Sequence, residues 1–103
     1  MTAYFMGIDT GTSETKGVLI DVDANIVATS SATHEAMSPF ANAYEYDAEK
    51  DWWGDFCTVS RDLIAKSGVD PADIKAVTTS ALGLCCVAVD ENCVPTRYAI
   101  SYG

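Results

Sequence analysis

Near the N-terminus, two apolar runs flank a short polar turn, and this limits the possible fold more than any other stretch. Tyr4 to Asp21 reads YFMGIDTGTSETKGVLID. The first run, Tyr4-Phe5-Met6-Gly7-Ile8, is nearly unbroken apolar, the pattern of a strand buried on both faces. The second, Gly17-Val18-Leu19-Ile20, is closed by Asp21. With only Asp9 to Lys16 between them, the two runs predict a β-hairpin in which Gly11 supplies the positive φ of a tight turn. The turn's composition admits a second reading. A carboxylate leaves the end of a strand, glycine and hydroxyl positions follow, and then a cation. Backbone N–H groups and hydroxyls in such a turn can cradle phosphate oxygens. Asp9 can hold Mg²⁺, directly or through water, and Lys16 can offset phosphate charge. A plain hairpin and a phosphate-binding turn both satisfy these residues.

Beyond the hairpin, Val22-Asp23-Ala24-Asn25 reads as a turn and Ile26 to Thr33 as a third strand, giving an antiparallel meander. His34 to Tyr46 has no period and contains Pro39, which predicts an exposed, mobile loop. Asp47 then stands as the N-cap of a helix with Glu49 in its first turn. Trp52, Phe56, Val59 and Leu63 recur at helical spacing, and Trp53, Cys57 and Ile64 widen the stripe. Lys66 sits in the last turn and Gly68 is a natural C′ residue. The two tryptophans are read as anchors of the helix onto the sheet and its neighbours rather than as a ligand platform. Asp70-Pro71-Ala72-Asp73 predicts a single helical turn. Ile74 to Ser80 follows as a strand that can lie parallel to the first. Ala81 to Leu84 is a loop, Cys85 to Val89 a strand, Asp90 to Cys93 a turn, and Tyr98 to Ser101 a further extended piece. The expected fold is therefore α/β: a mixed sheet of order β-β-β-α-β plus a further hairpin, with helix cover on at least one face.

At 103 residues the chain is long enough for one domain with a core and too short for two. Its net charge of -9, from 15 acidic and 6 basic residues, disfavours nucleic acid and anionic membranes as partners. The first apolar run ends at Asp9, too soon for a signal peptide or membrane span. The four cysteines (Cys57, Cys85, Cys86, Cys93) include no C-x-x-C pair. Buried, reduced thiols in a cytoplasmic protein fit them better than a disulfide framework or a zinc site. His34 is the only histidine and falls in the loop-like stretch.

Three stretches together resemble the FGGY family of carbohydrate kinases, members of the actin-like ATPase superfamily. Gly7-Ile8-Asp9-Thr10-Gly11-Thr12-Ser13-Glu14-Thr15-Lys16 looks like the family's first phosphate motif. Glu45-Tyr46-Asp47-Ala48-Glu49-Lys50-Asp51-Trp52-Trp53 resembles its Glu-x-Asp-Pro-Glu…Trp-Trp helix start, with Ala48 in place of proline and one extra residue. Val89 to Ile100 is similar to its apolar-Asp-x-x-Gly-x-Pro-Leu-Arg-Pro-Ala-Ile run, with Cys93, Thr96 and Tyr98 departing from it.

The resemblance implies a ribonuclease-H-like subdomain, residues 1–103 being part of the N-terminal domain of an ATP-dependent sugar kinase whose C-terminal domain is absent. It implies Asp9 as the Mg²⁺-linked carboxylate, with Gly11, Thr12, Ser13 and Lys16 on the ATP phosphates. Ser80, Leu82 and Gly83 are implied as the sugar side, and the catalytic base is expected downstream of Gly103. The partners implied are a sugar, ATP and the missing domain; a homodimer stays open. Alone, the fragment is expected to be inactive. Where xylulokinases show Gly-Gln-Met-His-Gly, this chain has Thr79-Ser80-Ala81-Leu82-Gly83-Leu84, so the sugar is left open.

Two other readings remain. Asp9-Thr10-Gly11-Thr12 also matches the D-T-G-[ST] of aspartic proteases, in which two such carboxylates share a proton. A non-catalytic actin-like interaction domain would carry the same turn.

Overall fold

The structure, a computed structural model, describes residues 2–102. Strands β1 (Tyr4–Thr10), β2 (Glu14–Asp21) and β3 (Ile26–Thr33) form the expected meander, and β5 (Ile74–Ala81) joins β1 in parallel, giving the order β3-β2-β1-β5. Helix α1 (Gly54–Ser67) makes the crossover that a parallel pair requires. A second antiparallel sheet has the order β4-β7-β6, from β4 (Tyr44–Tyr46), β6 (Cys85–Cys86) and β7 (Ala99–Ser101).

One face of the meander carries the core. Met6 and Ile8 of β1 and Leu19 of β2 meet Val59 and Leu63 of α1, with Phe56 and Ile64 packed at the margin. Burying each of these large aliphatic side chains contributes about 1.5–3 kcal/mol. Gly17 lets the helix come this close. A Cβ there would fall inside Val59 Cγ1 and lie 2.9 Å from Leu63 Cδ1, and both side chains are fully buried.

The opposite face is open among the described residues, where burial on both faces was expected for β1. Phe5 and Asp9 are exposed, as is nearly all of β5, because α1 covers one face only. The tryptophans also divide. Trp52 packs on Tyr46 at 5.7 Å between ring centroids, as an anchor should, but Trp53 is 62% exposed and stacks on Phe56 at 5.4 Å.

The helix begins as the sequence predicts, with the Asp47 side chain accepting from the Lys50 N–H at 3.0 Å. Its first turn, Ala48–Trp53, is π-helical, closed by Gly54 N–H to Glu49 O. Gly68 ends α1 at φ 68°, donating to Ile64 O. Asp70 caps the Pro71–Asp73 turn through Ala72 N–H.

The stretch from His34 to Tyr46 is only partly the exposed loop that its composition suggests: residues 38–42 are exposed, but its ends are not. His34 and Tyr46 are buried, Met37 and Glu45 exchange two 2.8 Å backbone bonds, and β4 pairs with β7. Apart from the Met37–Glu45 pair, these partners lie far along the chain and leave no local period to read. The expected strand Cys85–Val89 shortens to Cys85–Cys86, with Val89 only bridging Pro95 across the Asp90 turn. All four cysteines are free, but none is buried as expected: Cys57 and Cys85 are partly exposed and Cys86 and Cys93 exposed. Among the described residues no helix is long and apolar enough to cross a membrane.

Candidate functional site: the β1–β2 turn

The antiparallel register sets Asp9 opposite Lys16 and Thr10 opposite Thr15, so the turn closes over Gly11, Thr12 and Ser13. Gly11 N–H donates to Glu14 O at 2.9 Å. Gly11 has no positive φ, contrary to expectation; among the described residues the only glycine with one is Gly68. Its role is steric: a Cβ would lie 2.9 Å from the Glu14 carbonyl and break that closure.

Asp9 leaves the end of β1 exposed to solvent. The parallel register sets Ser80 opposite it, and Ser80 Oγ donates to Asp9 Oδ1 at 2.7 Å. Leu82 N–H donates to Thr10 O at 2.9 Å, tying the loop after β5 to the same strand end. Lys16 is not a bare cation, because its Nζ pairs with Glu14 Oε1 at 3.1 Å.

Several depressions border the turn, and two of them hold the residues at issue. One, of about 420 Å³, lies on the open face of the sheet between Asp9, Lys16, Gly7, Val18, Thr78 and Ser80. The other, of about 560 Å³, holds Thr12, Ser13, His34, Tyr44, Tyr46 and Leu82. The expected phosphate and metal residues share one turn but divide between these depressions, Asp9 and Lys16 lining the first and Thr12 and Ser13 the second. The expected sugar residues do not share one depression: Ser80 lies with Asp9, Leu82 with Thr12, and Gly83 borders neither, with nothing near its Cβ position.

Mg²⁺ keeps several waters and takes one or two carboxylates plus phosphate oxygens. Among the described residues no group of three or more His, Cys, Asp or Glu could hold a metal by itself. A single exposed carboxylate at the phosphate turn, with one oxygen fixed by Ser80, fits that mode of binding and does not fit an all-protein cage.

Sequence reasoning missed the layer behind the turn. His34 Nε2 donates to Gly11 O at 2.9 Å, and its Nδ1 lies 2.9 Å from Asp55 Oδ2 in α1. The Tyr46 hydroxyl donates to Thr12 O at 2.9 Å. Burial raises the Tyr46 phenol above its ordinary value, with smaller contributions from Cys85, Tyr102 and Asp51, so it is a hydroxyl donor at neutral pH. The one available signal was a lone histidine directly after β3, across from the turn.

Residues 4–103 match the FGGY family of carbohydrate kinases, N-terminal domain. A glycerol kinase of Alkaliphilus oremlandii is 32% identical over 77 residues, which are 75% of this chain and 15% of that protein. The crystal structure of a xyloylose kinase from Brucella ovis superposes with a TM-score of 0.87 at 24% identity, over 94% of this chain and 20% of that one. A gluconate kinase from Lactobacillus acidophilus gives 0.84, also at 24% identity, over 95% and 19%. The chain thus spans a fifth or less of these proteins. The aspartic-protease reading, which expects an almost all-β chain, finds no support beside α1, and none of these relatives favours a non-catalytic interaction domain. The chain belongs to the FGGY family of carbohydrate kinases, its residues 4–103 matching the family's N-terminal domain.

Proposed function

We propose that this chain forms the phosphate-binding half of an ATP-dependent sugar kinase, which transfers the γ-phosphate of ATP to a hydroxyl of a ketose or related sugar. One observation carries the reading: Thr12 and Ser13 stand at the tip of the turn with backbone N–H groups that have no partner among the described residues. They lie beside the Asp9 carboxylate at the end of β1 and the Lys16 ammonium opposite it. Free amides, hydroxyls and a nearby cation suit phosphate oxygens, and phosphoryl transfer needs chiefly positioning and charge neutralisation. Gly11 permits the tight closure that presents them. Asp9 would hold Mg²⁺, which when bound supplies charge neutralisation between phosphate oxygens. Lys16 would exchange its Glu14 partner for phosphate.

In this reading the catalytic base and the adenosine contacts belong to a C-terminal domain of a longer polypeptide, and the 103-residue chain alone transfers nothing. Four free thiols suit a cytoplasmic setting. The relatives are named for glycerol, xylulose and gluconate, so the class of acceptor is a polyhydroxylated carbon chain rather than one sugar. The test is ATP-dependent phosphorylation of a panel of polyols, ketoses and sugar acids by a polypeptide that joins this chain to its kinase C-terminal domain. Phosphorylation of at least one acceptor is expected; ATP use with none of them would contradict the reading.

A further inference from the structure

We propose that His34, Tyr46 and Asp55 are positioning residues, a platform that aims the Thr12 and Ser13 N–H groups at phosphate; this rests on the phosphate-binding reading above. Three successive carbonyls of the turn are tied from behind. Gly11 O accepts from His34 Nε2, Thr12 O from the Tyr46 hydroxyl, and Ser13 O from the His34 backbone N–H, each at 2.9 Å. A trans peptide is planar, so its C=O and the following N–H point opposite ways. Fixing the carbonyls of Gly11 and Thr12 therefore fixes the N–H groups of Thr12 and Ser13, directed away from the platform. Those two amides have no partner among the described residues, which is the arrangement an anion needs.

The platform itself is held firmly. The His34 side chain is 2% exposed and stands edge-on to Tyr46, with ring centroids 5.8 Å apart. Its other nitrogen meets Asp55 Oδ2, so α1 braces the ring from below. Gly11 O can only accept, so Nε2 carries the hydrogen there, and Nδ1 is left beside the Asp55 carboxylate. A buried ring with two such partners has one orientation open to it, and that orientation reaches the turn. Without these ties, a turn rich in Gly, Thr and Ser has cheap alternatives in which a peptide rotates and offers a carbonyl to the ligand.

The test follows the amide spectra of the 103-residue chain by NMR during titration with inorganic tripolyphosphate at fixed ionic strength. Tyr46→Phe removes only the hydroxyl. Among the His34 variants, His34→Gln keeps a donor near Nε2 for Gly11, whereas His34→Asn keeps one near Nδ1 for Asp55. Tyr46→Phe and His34→Asn are expected to weaken tripolyphosphate binding about fivefold each, the size of one lost hydrogen bond. They should also move the Thr12 and Ser13 amide signals in the free chain, while His34→Gln stays nearer the unsubstituted protein. Unchanged affinity in Tyr46→Phe and His34→Asn, with the original chain still binding, overturns the platform and leaves the phosphate reading standing. No response of Thr12 or Ser13 in the original chain overturns both. Should His34→Asn fail to fold, Tyr46→Phe decides alone.

Discussion

Ser80 Oγ donates a 2.7 Å hydrogen bond to Asp9 Oδ1 across 71 residues of sequence. The bond exists because β5 lies parallel to β1 in a register that sets Asp9 opposite Ser80. It leaves Asp9 with one carboxylate oxygen held and Oδ2 on the side of Gly11. A carboxylate held this way presents one defined oxygen to an incoming cation. In the proposed function Ser80 would thus act on the metal side of the turn.

Replacing Ser80 separates that role from contact with a sugar. Ser80→Ala loses one hydrogen bond to a charged acceptor, worth about 1.5 kcal/mol. In the longer kinase polypeptide the Mg²⁺ concentration for half-maximal phosphotransfer should rise roughly tenfold, as that energy converts, with the KM for sugar unchanged. A raised sugar KM with unaltered Mg²⁺ dependence would place Ser80 against the sugar instead.

Gly17 is the contact point between helix and sheet, and its substitution tests the packing directly. Gly17→Ala inserts a Cβ against Val59 and Leu63, two fully buried side chains with no room to give. Overpacking of this kind costs about 1–3 kcal/mol. Thermal unfolding should show a melting temperature lower by about 4–8 °C for each kcal/mol. A melting temperature equal to that of the original chain would mean that α1 stands farther off the sheet than described.

Asp62 gives the stability a defined dependence on pH. The Ser30 hydroxyl, 2.6 Å from its Oδ2, holds the carboxyl below the usual carboxylate range, and Lys66 at 2.9 Å adds to the effect. A depressed folded-state value contributes stability that is present above the unfolded carboxyl's value, near 3.9, and lost as pH falls through the folded one. Ser30→Ala should therefore reduce stability near pH 6 and have little effect once Asp62 is protonated in both states. Denaturant unfolding at several pH values checks this. An equal loss at neutral and strongly acidic pH would contradict it.

Much of this structure was legible from local rules. The apolar runs on either side of Asp9 to Lys16 gave the hairpin and its turn. Asp47, Gly68 and the Asp70-Pro71 pair marked their helix ends because capping is written in a few adjacent residues. The platform under the turn was not legible. His34 reaches Gly11 across 23 residues and Asp55 across 21, distances over which no period or cap leaves a trace. The same applies to β4, whose three residues take their partner from β7 at the far end of the chain. Exposure of β1 on one face was misread because an apolar run shows what a strand can bury, not what covers it. Gly11 was assigned to the right turn for the wrong reason: the backbone needed space there, not a left-handed conformation.

Asp9 is the residue on which the account turns, and one substitution tests it most directly. Asp9→Ala in the longer kinase polypeptide should lower ATP-dependent phosphorylation of its acceptor by about 10²–10³-fold, the range seen when one transition-state charge contact is removed. The melting temperature should stay close to the original, because the Asp9 side chain is exposed and outside the core. Loss of turnover with the fold intact is the predicted result; near-normal turnover in a folded Asp9→Ala protein would contradict the account.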